Sequence, residues 1–199
     1  MSIKSEQYAV LVAERKACRL CDGLRNPADH ELAEFDSDQI GPWSRLCGDL
    51  DARLMMVGQD WGDVRYYIQN HGLDDIRNRT TRTLEQLIHG IGVEVSLIEK
   101  SEQNRGVFLT NALLCLKTGG MQAHVEQQYF RNCGIHLRRQ IEIVAPQVIV
   151  CLGQEAYEAT LPLRAANSQY PPLLRPATAR LAPRGKGSCT RVVGRLSLL

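Results

Sequence analysis

Three short apolar runs stand out in a chain whose other segments mix charge into nearly every turn. They are Leu54–Val57 in RLMMVGQD, Val107–Thr110 in GVFLTNA and Val148–Leu152 in PQVIVCLG. Runs this short, two of them rich in β-branched residues, predict strands buried on both faces of a parallel sheet. Each ends in a turn or a polar residue: Gly58-Gln59-Asp60, Asn111 and Gly153. Between the runs the apolar positions follow a helical period. In Thr81–Ile91 the residues Leu84, Leu87, Ile88 and Ile91 fall at i, i+3, i+4 and i+7. Glu126–Val144 continues similarly through Ile135, Leu137, Ile141 and Val144, and Pro146 stops it. Ser5–Arg19 predicts a further helix. Strands alternating with helices predict an α/β domain, a short central parallel sheet covered on both faces in three α/β/α layers. Ligands in such sheets bind beyond the carboxyl ends of the strands, where Gln59, Asp60 and Asn111 would sit.

Beyond Thr160 the pattern fails. The stretch LPLRAANSQYPPLLRPATARLAPRGKGS holds five of the chain's eight prolines and no sustained period, and only Arg191–Leu199 predicts a last strand. After Glu158 there is no Asp or Glu, yet there are seven Lys and Arg, so residues 1–158 carry −5 against a whole-chain charge of +2. We therefore divide the chain into a domain over residues 1–160 and an atypical Pro- and Arg-rich basic tail over 161–199. A basic tail on an acidic body reads as a phosphate-binding arm, or as sequence never selected to fold there.

A chain of 199 residues suits one such domain. Its charged opening, MSIKSEQYAVLVAERKACRLC, contains no apolar signal-peptide core and no membrane span, which predicts a cytoplasmic protein; a monomer is expected. In that reducing compartment the seven cysteines do not read as a disulfide framework. Cys18-Arg-Leu-Cys21 puts two thiolates on one turn. Cys115 follows a predicted strand and Cys133 lies on the next predicted helix, so all four could meet at one corner of the fold. Such a set suits a [4Fe–4S] cluster or a structural zinc. Cys47, Cys151 and Cys189 are left over, and Cys151, inside an apolar strand, reads as a core residue.

The order of these pieces resembles the family 4 uracil-DNA glycosylases: CxxC, a strand ending in a Gly-Gln-Asp type loop, strand–Asn–x3–Cys, and a fourth Cys. Cys18, Cys21, Cys115 and Cys133 match that family's cluster ligands, with seventeen residues between the last pair. Asn111 falls on its base-reading Asn, and Gln140–Ala156 is similar to its helix–Pro–strand–Gly segment. The resemblance spans about residues 15 to 158. It implies the uracil-DNA glycosylase fold, a [4Fe–4S] cluster, and base-excision repair of DNA that contains uracil or a related deaminated base.

The first loop departs from that pattern. Where family 4 has Gly-Glu-Ala-Pro-Gly, this chain has Gly58-Gln59-Asp60-Trp61-Gly62, whose first three residues resemble the family 1 loop with its water-activating Asp. The resemblance makes Asp60 the catalytic carboxylate and Gly58, Gln59, Trp61 and Asn111 the substrate-binding set. For Asp60 the plainer reading is a helix cap, and for Trp61 ordinary packing. No base-stacking aromatic is evident; His71 is the nearest ring, and His89 and His136 read as helix-surface residues. The family's C-terminal His-Pro-Ser type loop is missing, since no histidine follows His136 and no His-Pro occurs. A frameshift or truncation explains the abrupt change at the tail better than divergence. The alternative function is then a catalytically impaired iron–sulfur protein of the same fold that binds nucleic acid.

Overall fold

The computed structural model describes residues 2–75, 77–97, 104–165 and 173–174. In chain order the elements are α1 (Ile3–Ala17), β1 (Leu24–Arg25), a 3-10 turn at Ala33–Phe35, α2 (Pro42–Leu46), β2 (Leu54–Gly58) and α3 (Val64–Gln69). They continue with α4 (Arg79–His89), β3 (Val107–Asn111), β4 (Leu116–Lys117), α5 (Gln127–Val144), β5 (Val148–Cys151), α6 (Gln154–Ala165) and β6 (Leu173–Leu174).

The three apolar runs become three of the four strands of a parallel sheet in the order β3-β2-β5-β6. Successive side chains of a strand point to opposite faces, and here the two faces bury different partners. Met55 and Val57 of β2, Phe108 of β3, and Ile149 and Cys151 of β5 join Leu11 and Val12 of α1, Leu137 and Ile141 of α5, and Ala156 and Leu163 of α6. Met56 of β2 with Val107 and Leu109 of β3 joins Trp43 and Leu46 of α2, Tyr67 of α3, and Leu84 and Ile88 of α4. Two cores on one sheet make the three α/β/α layers that the alternation predicted. Cys151 is a fully buried core residue, as expected.

Two helical stripes differ from the expectation. On α4 the buried positions are Thr81, Leu84 and Ile88, while Leu87 and Ile91 are exposed. On α5 the buried face runs through Phe130, Cys133, His136, Leu137, Gln140, Ile141 and Val144, and Ile135 is exposed. His136 is therefore a buried residue and not a surface one. It shares the phase of Cys133, which must face inward toward the other cysteines. Ala145 closes α5 in the left-handed conformation (φ 52°, ψ 53°) just before Pro146.

The boundary expected at residue 160 falls inside α6. That helix buries Ala156, Thr160 and Leu163 on one face, and the Thr160 hydroxyl donates to the Ala156 carbonyl at 2.7 Å. Farther on, β6 pairs with β5. The expected strand at Arg191–Leu199 and Cys189 lie outside the described residues.

Candidate active site

The carboxyl edge of the sheet is built by two loops that continue the β2–β3 ladder past its end. Gly58 pairs with Asn111 in register. Beyond it the Ala112 N–H donates to the Gly58 carbonyl at 2.8 Å, and the Leu113 N–H to the Gln59 carbonyl at 2.9 Å. The Gly-Gln-Asp turn and the Asn-Ala-Leu turn are thereby stitched together, so the separate sequence motifs become one surface. Only glycine fits at 58: a Cβ there would lie 2.4 Å from Asn111 Oδ1 and 2.5 Å from the Trp43 ring.

Unpaired polar atoms gather at this edge. Among the described residues seven buried side-chain atoms lack a hydrogen-bond partner, and four of them are Trp43 Nε1, Trp61 Nε1, Thr110 Oγ1 and Asn111 Oδ1. A buried polar atom left unpaired costs roughly 1–3 kcal/mol, so their concentration marks a place where a ligand can repay it. Trp61 packs edge-on against Trp43, centroids 5.7 Å apart at 88°. Trp61 is thus both a packing residue and a bearer of a free N–H.

Asp60 does not cap the following helix. That role falls to Asp63, whose carboxylate accepts the Tyr66 N–H at 2.7 Å at the start of α3. Asp60 instead meets Lys117, with Nζ 3.0 Å from Oδ1 and 3.2 Å from Oδ2, and it accepts the Gln59 side-chain N–H at 2.8 Å. The two side chains are only 6% and 7% exposed. Lys117 also donates to the Met121 carbonyl at 2.6 Å. His71 does not reach this edge as a free ring; it stacks on Phe35 at 5.3 Å.

The four expected cysteine ligands do come together. Cys18, Cys21, Cys115 and Cys133 all line one cavity of about 270 Å³, with Asn26, Asp29 and Asn132 in its wall. They approach on three supports, Cys18 and Cys21 sharing the loop after α1. Asn26 Nδ2 donates to the Arg15 and Cys18 carbonyls at 2.8 and 3.0 Å, which ends α1 and shapes the CxxC loop. Arg15 is buried beneath that loop and pairs through both guanidinium nitrogens with Asp36, at 3.0 and 2.9 Å. Cys115 directly precedes β4, which pairs antiparallel with β1 three residues after Cys21. Cys133 projects from α5 and accepts the Leu114 N–H at 3.4 Å, and Cys21 accepts the Asn132 side-chain N–H at 3.6 Å.

Burial raises the pKa of Cys21, Cys115 and Cys133, and mutual repulsion within the set adds to it; Cys133 is pushed up to about 12. Such thiols give up their protons to a metal, whose charge reverses that balance. Among the described residues no three His, Cys, Asp or Glu side chains are grouped as ligands of one metal ion.

Sequence reasoning missed Trp43 and Lys117. Pro42 after Gly41 was a usable sign of a helix start, and hence of Trp43 facing inward. Nothing local marks Lys117, because its partner lies 57 residues away. Among the described residues no helix is long and apolar enough to cross a membrane.

No curated protein matches the chain. The family model described as the uracil DNA glycosylase superfamily matches residues 46–193, about three quarters of the chain. The match takes in the Gly58–Gly62 loop, Asn111, Cys115 and Cys133, and starts after Cys18 and Cys21. A three-layer α/β/α sheet whose carboxyl edge gathers unpaired polar groups agrees with that match, and the chain belongs to the uracil DNA glycosylase superfamily.

Proposed function

We propose that the protein is an iron–sulfur DNA glycosylase of the family 4 type, cytoplasmic and monomeric, that excises uracil or a related deaminated base from DNA. The observation that carries this reading is the Asn111 side chain at the sheet edge, buried against Gly58 with its carbonyl oxygen unpaired. An amide offers one acceptor and donors side by side, so Asn111 can accept from the uracil N3–H and donate to O4, where cytosine mismatches. The base reaches that pocket only when flipped from the stack, at a cost of a few kcal/mol.

In the reaction a water oxygen bonds to C1′ of the sugar while the C1′–base bond breaks. The bonding pair leaves with the base, which then takes up a proton. Asp60 orients the water, accepts its proton and faces the positive charge that grows on the sugar. Each carboxylate oxygen can accept twice, so Oδ1 keeps a site for water beside its contact with Lys117. Gln59 and the backbone N–H groups beyond it hold the base carbonyl. Trp61 and Trp43 wall the pocket.

Cys18, Cys21, Cys115 and Cys133 would hold a [4Fe–4S] cluster. A four-thiolate set suits either a [4Fe–4S] cluster or a zinc, and the family 4 resemblance of the cysteine spacing favours the cluster. The N–H groups aimed at Cys133 and Cys21 suit cluster sulfurs. When bound, the cluster supplies a covalent staple between the α1 loop, the segment after β3 and α5.

The second reading, a cluster protein that binds nucleic acid without cleaving it, draws on the absence of any histidine after His136. Anaerobic purification with iron and sulfide analysis, followed by incubation with a uracil-containing oligonucleotide, separates the two. Brown protein with about four irons per chain that releases uracil is expected. Brown protein that binds the oligonucleotide and releases nothing favours the second reading, and a colourless protein that takes up no metal removes the cluster from both.

A further inference from the structure

The Asp60 loop and the cysteine cavity are joined by one very short strand. Cys115 lines the cavity. Two residues on, Lys117 lies in β4, where Leu116 and Lys117 pair with Arg25 and Leu24 of β1. The other edge of β4 meets the glycosylase loop: the Lys117 N–H donates to the Gly62 carbonyl at 3.0 Å, and Asp63 bridges to Lys117. The backbone of Lys117 is therefore held from both sides, and its ammonium group emerges at Asp60. Other charges nearby are spoken for. Asp63 spends its carboxylate on the cap of α3, and Arg65 is exposed. Lys117 is left to Asp60 and to the Met121 carbonyl.

We propose that Lys117 is the positioning residue for Asp60: it fixes the carboxylate's orientation toward the reacting sugar and supplies its counter-charge, from a strand anchored at the cysteine cavity. This rests on the base-excision reading above. A buried ion pair seldom repays its desolvation compared with apolar side chains of the same size. Its place at the carboxyl edge, beside the unpaired Asn111 and Trp61, points to the reaction instead of to stability. Without Lys117 the buried carboxylate keeps, among the described residues, the neutral Gln59 amide as its side-chain partner. A displacement of about 1 Å at such a group can cost about 10²-fold in rate.

The test is a double-mutant cycle on the full-length protein, with Lys117→Met, Asp60→Asn and the combined variant. Single-turnover uracil release, oligonucleotide binding and Tm are measured for each. Lys117→Met alone is expected to slow release by about 10²-fold with the oligonucleotide affinity unchanged. In the Asp60→Asn background the same change should cost nothing further in rate, and Tm should be partly restored because no lone charge remains. A merely structural Lys117 would cost the same in both backgrounds and weaken binding too, and that result overturns the proposal. So does full activity of Lys117→Met. If the unaltered protein releases no base, the glycosylase reading falls on that measurement alone. The Tm cycle then still decides the pairing: additive losses in Tm overturn it, and coupled ones sustain it.

Discussion

Gly58 and Asn111 stand side by side at the ends of β2 and β3, so close that a Cβ at position 58 would lie 2.4 Å from the Asn111 carbonyl oxygen. The glycine is thus a requirement of the asparagine's position and not only of the turn. Gly58→Ala should push Asn111 or Trp43 aside, destabilise the fold by about 1–3 kcal/mol through overpacking and slow base release by about 10²-fold. Denaturant melts and single-turnover assays on the same preparation check both numbers. A variant that keeps the wild-type rate removes Asn111 from the pocket.

Direct removal of the reading and reacting groups should act on chemistry and spare folding. Asn111→Ala and Asp60→Asn are each expected to reduce uracil release by about 10² to 10³-fold. For Asn111→Ala the melting curve should hardly move, because its carbonyl oxygen makes no hydrogen bond to lose. Full activity in both variants would place the active site elsewhere.

The cysteine cavity gives a prediction readable by eye. Cys115→Ala or Cys133→Ala should yield colourless or iron-poor protein with a lowered Tm, whereas Cys151→Ala, a core position, should keep its iron. Asn26→Ala removes the donor to the Arg15 and Cys18 carbonyls and should speed iron loss under a chelator without abolishing loading.

Arg15 and Asp36 form a buried two-bond ion pair with side chains 1% and 9% exposed. Arg15→Met strands Asp36 and is expected to cost about 3–5 kcal/mol. The value should fall toward the lower end because Lys16 lies 3.8 Å from the same carboxylate. Arg15→Met with Asp36→Leu should recover much of the loss. Urea unfolding of the two variants decides it.

His136 makes stability depend on pH. Burial, with the positive charge of Arg15 adding to it, holds its pKa below the ordinary value of 6.5. The unfolded chain therefore takes up the proton first as pH falls. Stability is at its full value above about 6.5, drops as pH descends through that value, and levels off below the folded pKa. His136→Gln should flatten this limb between pH 7 and 5. An unchanged limb in the variant assigns it to other groups.

How much of this was legible in the chain can be traced residue by residue. The strands around Met55, Leu109 and Ile149 announced themselves because a strand buried on both faces must be apolar at every position. The four cysteines were visible as residue types in the right order. By contrast, α2 and α3, with five and six residues, are too short to display a period. On α5 the period was plain and its phase was not: Ile135 reads as core until Cys133 is required to face the cavity, which turns His136 inward.

By itself the sequence determined the strands β2, β3 and β5, the long helices α1, α4 and α5, the parallel sheet and the pair of motifs after β2 and β3, since these follow from local hydrophobic patterning and from residues adjacent in the chain. Only the tertiary structure decided that Asp60 is held by Lys117 and not by a helix end, that Trp43 crowds Gly58, and that the four cysteines share one cavity. Each of those is a contact between segments far apart in sequence. No local propensity encodes such a contact; it exists because packing helices on both faces of one sheet brings distant segments together.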